Sequence, residues 1–496
     1  MTTPTTSVAM TAATERELAA LLLRSDGQED ICLATYRPSS GSRRRTALIT
    51  SVVPPEPGDR AVHGNATVYD QYVLRAIESA VSRGDGVALA HSHPGATAWQ
   101  FMSGPDRDAE SSYANLVRET TGMPLVGMTL AGGSLLWSAR HWNLGVGADV
   151  DATECESVRT IGECLRVAWN GQARMPPALT SRQVRTVSCW GERTHADITR
   201  LRVLVVGLGS VGLDVAVRLA ATGFLDVGIL DFDGIELRNL DRMIGATTRD
   251  IRLRRAKVEV AERLMIDAAS SDHLTVHRSE LSICEREALP IALDYDLIIS
   301  CVDRPWPRAI LNSIAYTDLI PVVDGGIVID TFEDGSLRSG TWRSHVVRPG
   351  RPCMSCSRQL DLGEVALDID GLLDDPSYVR GKTQLRGGQN VAALSVGVTA
   401  TLLAQLVSYL VAPGGLGDPG PLQYLLSTHT LEHLEVESRP NCPVELATCV
   451  GDQRVDLTGE HPAAHTARRS RRDVSPLVRA LRRIDDILIR VHRRIG

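Results

Sequence analysis

LRVLVVGLGSVGLDVAVRLAATGFLDVGILDFD, residues 201–233, reads as an apolar strand, a glycine turn, a helix and a second apolar strand. Strand, helix and strand in so short a span make a βαβ unit, which requires parallel strands and a right-handed crossover. Gly207-x-Gly209-x-x-Gly212 falls at the strand-to-helix turn. There the first glycine permits the tight turn, the second lets a phosphate approach the backbone, and the third lets helix and strand pack closely. Free N–H groups at the start of the helix suit an anionic ligand. Asp231 ends the following strand, 19 residues after Gly212, and is placed to bind ribose hydroxyls. The motif fixes a nucleotide site without separating NAD from ATP.

The residues around the turn are more specific. They include LDFDGIELRNLDRM (230–243), RRAKVEVAERL (254–264), SCVDRPWPRAILNSIA (300–315) and VVDGG (322–326), with SRQVRTVSCWGERTHADITRL (181–201) upstream. Together these resemble the family of ThiF, MoeB and ubiquitin-activating enzymes over residues 179–450. The resemblance implies a Rossmann-like domain with a mainly parallel sheet that binds ATP and Mg²⁺ and adenylates a protein's C-terminal glycine carboxylate. It implies that Asp231 holds the ribose, that Asn239 and Arg242 contact the phosphates, and that Lys257 neutralises the triphosphate. Asp303 would hold Mg²⁺, and Arg182 would reach into a partner subunit's site, which implies a homodimer. Fixed cations at these places would stabilise the charge that gathers on the α-phosphate and departing pyrophosphate. The chain departs from the family pattern at Arg304, where the family usually has Asn.

Cys353-x-x-Cys356 can place two thiolates on one tetrahedral Zn²⁺, and RPNCPVELATC (439–449) supplies Cys442 and Cys449 as the second pair. Six residues separate those two, where the resembling enzymes usually have two. From Ser357 to Asn441 there is no cysteine to form a thioester, and Cys189 and Cys301 lie in stretches that read as core. The expectation is an enzyme that stops at the adenylate or passes it to a separate sulfur donor or acceptor.

A second constellation follows the apolar run GVALA: HSHPGATAWQFMSGPD (91–106) carries His91, His93, Ser103 and Asp106. Two histidines one residue apart on a strand share a face, and a carboxylate further on can complete a three-ligand metal site. The pattern resembles the JAMM (JAB/MPN) metalloproteases over residues 15–145. That implies Zn²⁺ on His91, His93 and Asp106, oxyanion support from Ser103, and an upstream general base. Glu29 is the candidate base, with Asp30 as its rival.

The whole chain of 496 residues, 43% apolar and 23% charged with a net charge of −7, reads as an α/β protein of several domains. The charge gives no reason to expect nucleic acid as the main partner, and ten cysteines, scattered except for Cys353 with Cys356 and Cys442 with Cys449, read with the lack of a secretory signal as cytoplasmic. Residues 1–14 read as disordered, 15–145 as the JAMM-type α/β domain, 146–178 as a linker, 179–450 as the adenylation domain and 451–472 as a second linker. Val391–Ala412 carries no charge over 22 residues, but its polar residues and lack of flanking belts make it a buried helix rather than a membrane span. Residues 473–496 read as a basic amphipathic helix: Leu477, Leu481, Ile484, Leu488, Val491 and Ile495 form one stripe. From Arg468 onward there are ten Arg against three Asp. The stripe is expected to dock on its own protein or to self-associate.

The two halves combine into one expectation. The adenylating domain activates the C terminus of a ubiquitin-like or sulfur-carrier β-grasp protein, and the peptidase domain trims or releases the same kind of tail. An NAD-dependent oxidoreductase and an inert scaffold that binds a β-grasp partner are the alternatives.

Overall fold

A computed structural model of the protein describes residues 4–63, 65–144, 150–374 and 390–495. Two large sheets organise the chain. The N-terminal one has nine strands in the order β11-β10-β1-β3-β2-β6-β7-β8-β9. Its members are β1 (Thr5–Thr11), β2 (Ile31–Ser40), β3 (Arg44–Val53), β6 (Gly86–His93), β7 (Val126–Ala131), β8 (Leu136–Leu144), β9 (Val150–Glu154), β10 (Ser157–Ile161) and β11 (Leu165–Trp169). A small hairpin, β4 (Arg60–His63) and β5 (Asn65–Val68), stands apart. The second sheet has eight strands in the order β14-β13-β12-β15-β16-β17-β18-β19.

In the second sheet, β12 (Arg202–Val206), β13 (Asp226–Leu230), β14 (Thr275–Ser279), β15 (Leu297–Ser300) and β16 (Val322–Thr331) pair in parallel. The run Val203–Val206 is buried on both faces, as parallel strands between helices require. From β16 onward the pairing is antiparallel, through β17 (Leu337–Val347), β18 (Leu422–Leu425) and β19 (Thr430–His433). The mainly parallel sheet expected from sequence therefore covers five of its eight strands.

Three expectations about the segments between the domains are corrected. Residues 5–11 are not disordered: β1 lies between β10 and β3 with Val8, Ala9 and Met10 fully buried. Residues 150–169 are not linker, since they supply β9, β10 and β11; residues 145–149, at the expected boundary, lie outside the described set. Residues 451–472 are packed rather than loose. The Trp306 indole donates to Leu457 O at 2.8 Å, Gly459 N donates to Cys284 O at 2.8 Å, and Pro462–Arg472 is helical.

The C-terminal helix, Pro476–Ile495, docks on the protein by the face opposite its apolar stripe, which corrects the docking expectation. Its buried contact is Asp485, which pairs with Arg249 and, at 2.9 Å, with Arg255. The stripe of Leu477, Leu481, Ile484, Leu488 and Val491 faces solvent. Helix Ala392–Val411 is long and apolar enough to cross a membrane by length and composition. One side of it, including Val398, Leu402, Leu406 and Tyr409, is buried against β16 and β17 and the helix that follows the glycine turn.

The two sheets share a core. Ala9, Leu48, Ile161 and Trp169 of the first pack in one cluster with Val203 and Val205 of the second and with Leu219 and Phe224 in and just after the helix Ser210–Thr222. At the same seam Arg44 and Arg159, both fully buried, converge on Asp296: Arg44 as an ion pair, Arg159 at 3.2 Å. Arg202 holds Glu156 through two bonds of 2.6 and 2.8 Å, and Asp318 accepts from Ser39 and Arg454. Burial alone would push the Asp296 carboxyl up, but Arg44 and Arg159 outweigh it and hold it below the usual carboxylate range.

Replacing Asp296 by Asn leaves two buried guanidiniums unpaired, and breaking such a pair costs about 3–5 kcal/mol. The thermal midpoint of Asp296→Asn is expected to fall by several degrees. Because the folded pKa is depressed, the Asp296 contribution is present above about pH 4 and is lost as pH falls through the folded value. An unchanged midpoint at neutral pH would show that the seam does not depend on this charge.

Candidate functional site

The crevice at the carboxyl ends of β12, β13 and β15 is where an open parallel sheet binds its ligand. Gly207 has φ of +85°, a conformation only glycine adopts without strain. A Cβ on Gly212 would lie 1.8 Å from Gly207 O, so helix Ser210–Thr222 can start this close to the strand only without one. A Cβ on Gly209 would meet nothing within 4 Å, which leaves open space above the turn. No side chain caps that helix, so its first N–H groups face this space. These features fit a bound polyphosphate.

Asp231 is buried at the end of β13. Its Oδ2 accepts the Leu208 N–H at 2.7 Å and its Oδ1 accepts the Asp233 N–H at 2.7 Å, so it ties the turn to the next strand as well as facing the crevice. Lys257 starts helix Lys257–Ala268, with Nζ 2.7 Å from Asp233 and 3.6 Å from Asp231. Burial works against its charge, but Asp231, Asp233 and Asp303 outweigh it and raise its pKa, so Lys257 stays cationic. Asp303 is exposed three residues beyond β15. Asn239 accepts the Glu236 N–H at 2.9 Å and shapes a short 3₁₀ turn, while Arg242 pairs with Asp241 at 3.0 Å on the same loop. Arg304 pairs with Asp368 at 2.7 Å.

Arg182 lies at the far end of the glycine-turn helix. Its neighbour Gln183 abuts Gly223, which ends that helix, and Arg182 itself pairs with Asp272. A helix of 13 residues spans about 20 Å, so Arg182 cannot serve the crevice of its own chain. Residues expected to be linker also border the crevice: the His461 ring stacks on Trp306 at 5.6 Å and tilts against Phe232 at 4.9 Å. Nothing in the sequence singled His461 out.

Cys353, Cys356, Cys442 and Glu445 bring their ligand atoms within 4.8 Å of one another. The Cys353 and Cys442 sulfurs are 3.5 Å apart, and Cys353 N donates to Glu445 Oε1 at 3.2 Å. Burial pushes the Cys353 thiol up to about 12, whereas at Cys356 N–H donation by Arg439 outweighs burial and lowers it. Three sulfurs and a carboxylate fit a tetrahedral Zn²⁺. Cys449 does not join them. It is buried in the shared core, its N–H donates to Tyr316 O, and burial pushes its thiol up to about 12. The signal for Glu445 was available: Cys442-x-x-Glu445 repeats the spacing of Cys353-x-x-Cys356. Of the two spare cysteines expected in core, Cys189 is instead exposed, and Cys301 packs beneath the glycine turn. Residues 375–389 of the crossover segment lie outside the described set.

In the N-terminal sheet, β6 delivers His91 and His93, with ring centroids 5.0 Å apart. Helix Gly104–Thr121 delivers Asp106, whose oxygens lie 3.5 Å from His91 and 3.7 Å from His93. The three offer ligand atoms within 4.8 Å, a donor set that fits zinc. Burial holds His91 neutral, with its pKa down to about 3. Ser103 caps the helix, its Oγ accepting the Asp106 N–H at 3.3 Å. Glu29 lies 3.9 Å from His93, while Asp30 is buried and bound to Arg60 at 2.8 Å, so Glu29 is the carboxylate that faces the cluster. Glu110, one turn past Asp106, was not foreseen; it is buried beneath His91 and paired with Arg140.

The donor sets carry a direct test. Metal content per chain is expected to drop by about one zinc in Glu445→Ala or Cys442→Ser and to stay unchanged in Cys449→Ala. Loss of zinc in Cys449→Ala with full zinc in Glu445→Ala would reverse the assignment.

Comparison with known proteins bears on the second domain. The model of the ThiF family matches residues 180–444, more than half of the chain. Molybdopterin-synthase adenylyltransferase of Escherichia coli is 26% identical over 246 residues, which cover 49% of this chain and 86% of the relative. Adenylyltransferase and sulfurtransferase MOCS3 of Culex quinquefasciatus is 32% identical over 145 residues, 29% of this chain. The match spans only about a third (32%) of that relative's length. The structure of E. coli MccB with ATP aligns with a TM-score of 0.42 at 17% identity, covering 53% of this chain and 74% of MccB. With the glycine turn, Asp231 and Lys257 all inside the matched span, this chain belongs to the ThiF family.

Proposed function

We propose that the chain adenylates the C-terminal glycine carboxylate of a ubiquitin-like or sulfur-carrier protein, using ATP bound in the crevice above Gly207. The observation that carries this reading is Lys257, partly buried yet kept cationic by Asp231, Asp233 and Asp303 at the mouth of a phosphate-binding turn. Family membership favours adenylation over hydride transfer. In the reaction a carboxylate oxygen attacks the α-phosphorus and the bond to pyrophosphate breaks, the electron pair leaving with pyrophosphate. Lys257 and Arg242 would neutralise the departing charge, and Asp231 would hold the ribose. Asp303 would bind Mg²⁺, which supplies Lewis-acid stabilisation when present. Arg182 would act in a second copy's site, since its own crevice is out of reach.

The N-terminal cluster supports a second activity, hydrolysis of a peptide or isopeptide bond beside such a glycine tail. His91, His93 and Asp106 would hold Zn²⁺, which would polarise a water, and Glu29 would take that water's proton. Ser103 would support the oxyanion once released from its capping role.

Exchange of labelled pyrophosphate into ATP is expected only with a Gly-Gly-ending protein present, and is expected to fall at least 100-fold in Asp303→Ala or Lys257→Ala. Intact ATP binding without exchange for any such protein would contradict adenylation. Cleavage of a carrier precursor is expected to stop in Glu29→Ala with zinc retained. Cleavage at the wild-type rate would remove Glu29 as the base.

A further inference from the structure

Helix Pro476–Ile495 has a second face that neither site uses. Its protein-facing side is held by charge. Asp485 pairs with Arg249 and Arg255, Asp486 accepts from Arg255 at 2.6 Å, and Arg482 donates to Leu253 O and Arg254 O. Asp485 and Asp486 are the only acids in the helix, so both are already paired.

The other side is apolar and open. At about 100° per residue, Leu477, Leu481, Ile484, Ile487, Leu488 and Val491 fall within one arc of about 120°. Each of the six is between 44% and 69% exposed. Arg479 and Arg483, both exposed, border the arc on its Ile487 side, and the sequence repeats arginine in the same register at 490 and 494. The docked side and the apolar arc lie on different sides of the helix, so the arc can meet a flat surface while the helix stays on the protein.

A contiguous apolar face left open on a folded protein marks a surface that another body covers. The charges choose among the candidates. A second copy would set stripe against stripe, but it would meet the arginine row with no unpaired acid on its own helix, and such a seam depends on opposite charges along its flanks. Nucleic acid would answer the arginines and leave the stripe in water. An anionic bilayer answers both. Apolar side chains enter the boundary between headgroups and acyl chains, and each Arg near the surface contributes about 1 kcal/mol. A helix of 20 residues lies about 30 Å along that boundary. The seat of the helix also leads to the nucleotide crevice: Arg255 O accepts from Ile235 N, and Lys257 follows two residues on.

We propose that helix Pro476–Ile495 is an interfacial anchor, which lays Leu477, Leu481, Ile484, Ile487, Leu488 and Val491 into an anionic phospholipid bilayer while Arg479 and Arg483 meet its phosphates. It lies in the interface without crossing the membrane.

The test is flotation of the full chain with vesicles of phosphatidylglycerol and phosphatidylcholine, against vesicles of phosphatidylcholine alone. The chain is expected to bind the anionic vesicles at least tenfold more tightly, and added salt is expected to weaken that binding. Ile484→Asp with Leu488→Asp is expected to abolish it, and Arg479→Gln with Arg483→Gln to weaken it at least tenfold. All four side chains are exposed, so neither pair is expected to lower the thermal midpoint, which separates lost binding from lost folding. No binding to the anionic vesicles, or binding that survives the Asp pair, overturns the anchor. Self-association of the vesicle-free chain that the Asp pair abolishes, with no vesicle binding, overturns it too and assigns the stripe to a second copy.

Discussion

Asp296, at the start of the edge leading into β15, is held between two arginines from the other sheet, and the relation between the two halves follows from that. Arg44 on β3 and Arg159 on β10 have no exposure to solvent. Each would be a costly unpaired charge if Asp296 were missing from the closed seam. The hydrophobic cluster that runs from Leu48 and Trp169 into Val203 and Phe224 adds area burial to the same seam. The segment after residue 450 closes it from a third side, where Arg454 and Ser39 share Asp318 and Asp452 accepts from Ser40. A chain joined this way holds its nucleotide crevice and its histidine cluster in one packed body.

Within the crevice, structural and ligand-facing roles fall on the same atoms. Asp231 holds the glycine turn through Leu208 and also draws Lys257 into the site. Lys257 rests against Asp233 at 2.7 Å, so an incoming triphosphate must compete with a carboxylate for it. That competition keeps a desolvated cation in place before ligand arrives, which is the preorganisation that electrostatic catalysis needs.

Much of this was legible in the sequence because glycine, histidine and cysteine spacings record backbone constraints directly. Gly207, Gly209 and Gly212 had to sit between strand and helix, and His91 and His93 had to share a strand face. What was missed follows from signals that do not lie in local pattern. TTSVAMT at residues 5–11 is small and Thr-rich, and only its long-range pairing with β3 and β10 makes it a central strand. Glu445 and not Cys449 completes the cysteine cluster because only Cys442-x-x-Glu445 has the spacing that turns both side chains to one point. Docking of the terminal helix on its own protein through its apolar stripe does not occur, because buried Asp485 meeting Arg249 and Arg255 fixes the opposite face.

The central claim is that a carboxylate attacks the α-phosphorus of ATP, and oxygen tracing tests it most directly. A Gly-Gly-ending carrier carrying ¹⁸O in its terminal carboxylate is incubated with the chain, ATP and Mg²⁺, the acyl group is discharged to a nucleophile, and the AMP is analysed by mass spectrometry. The account predicts one ¹⁸O atom in each AMP released. AMP that forms without label would contradict it.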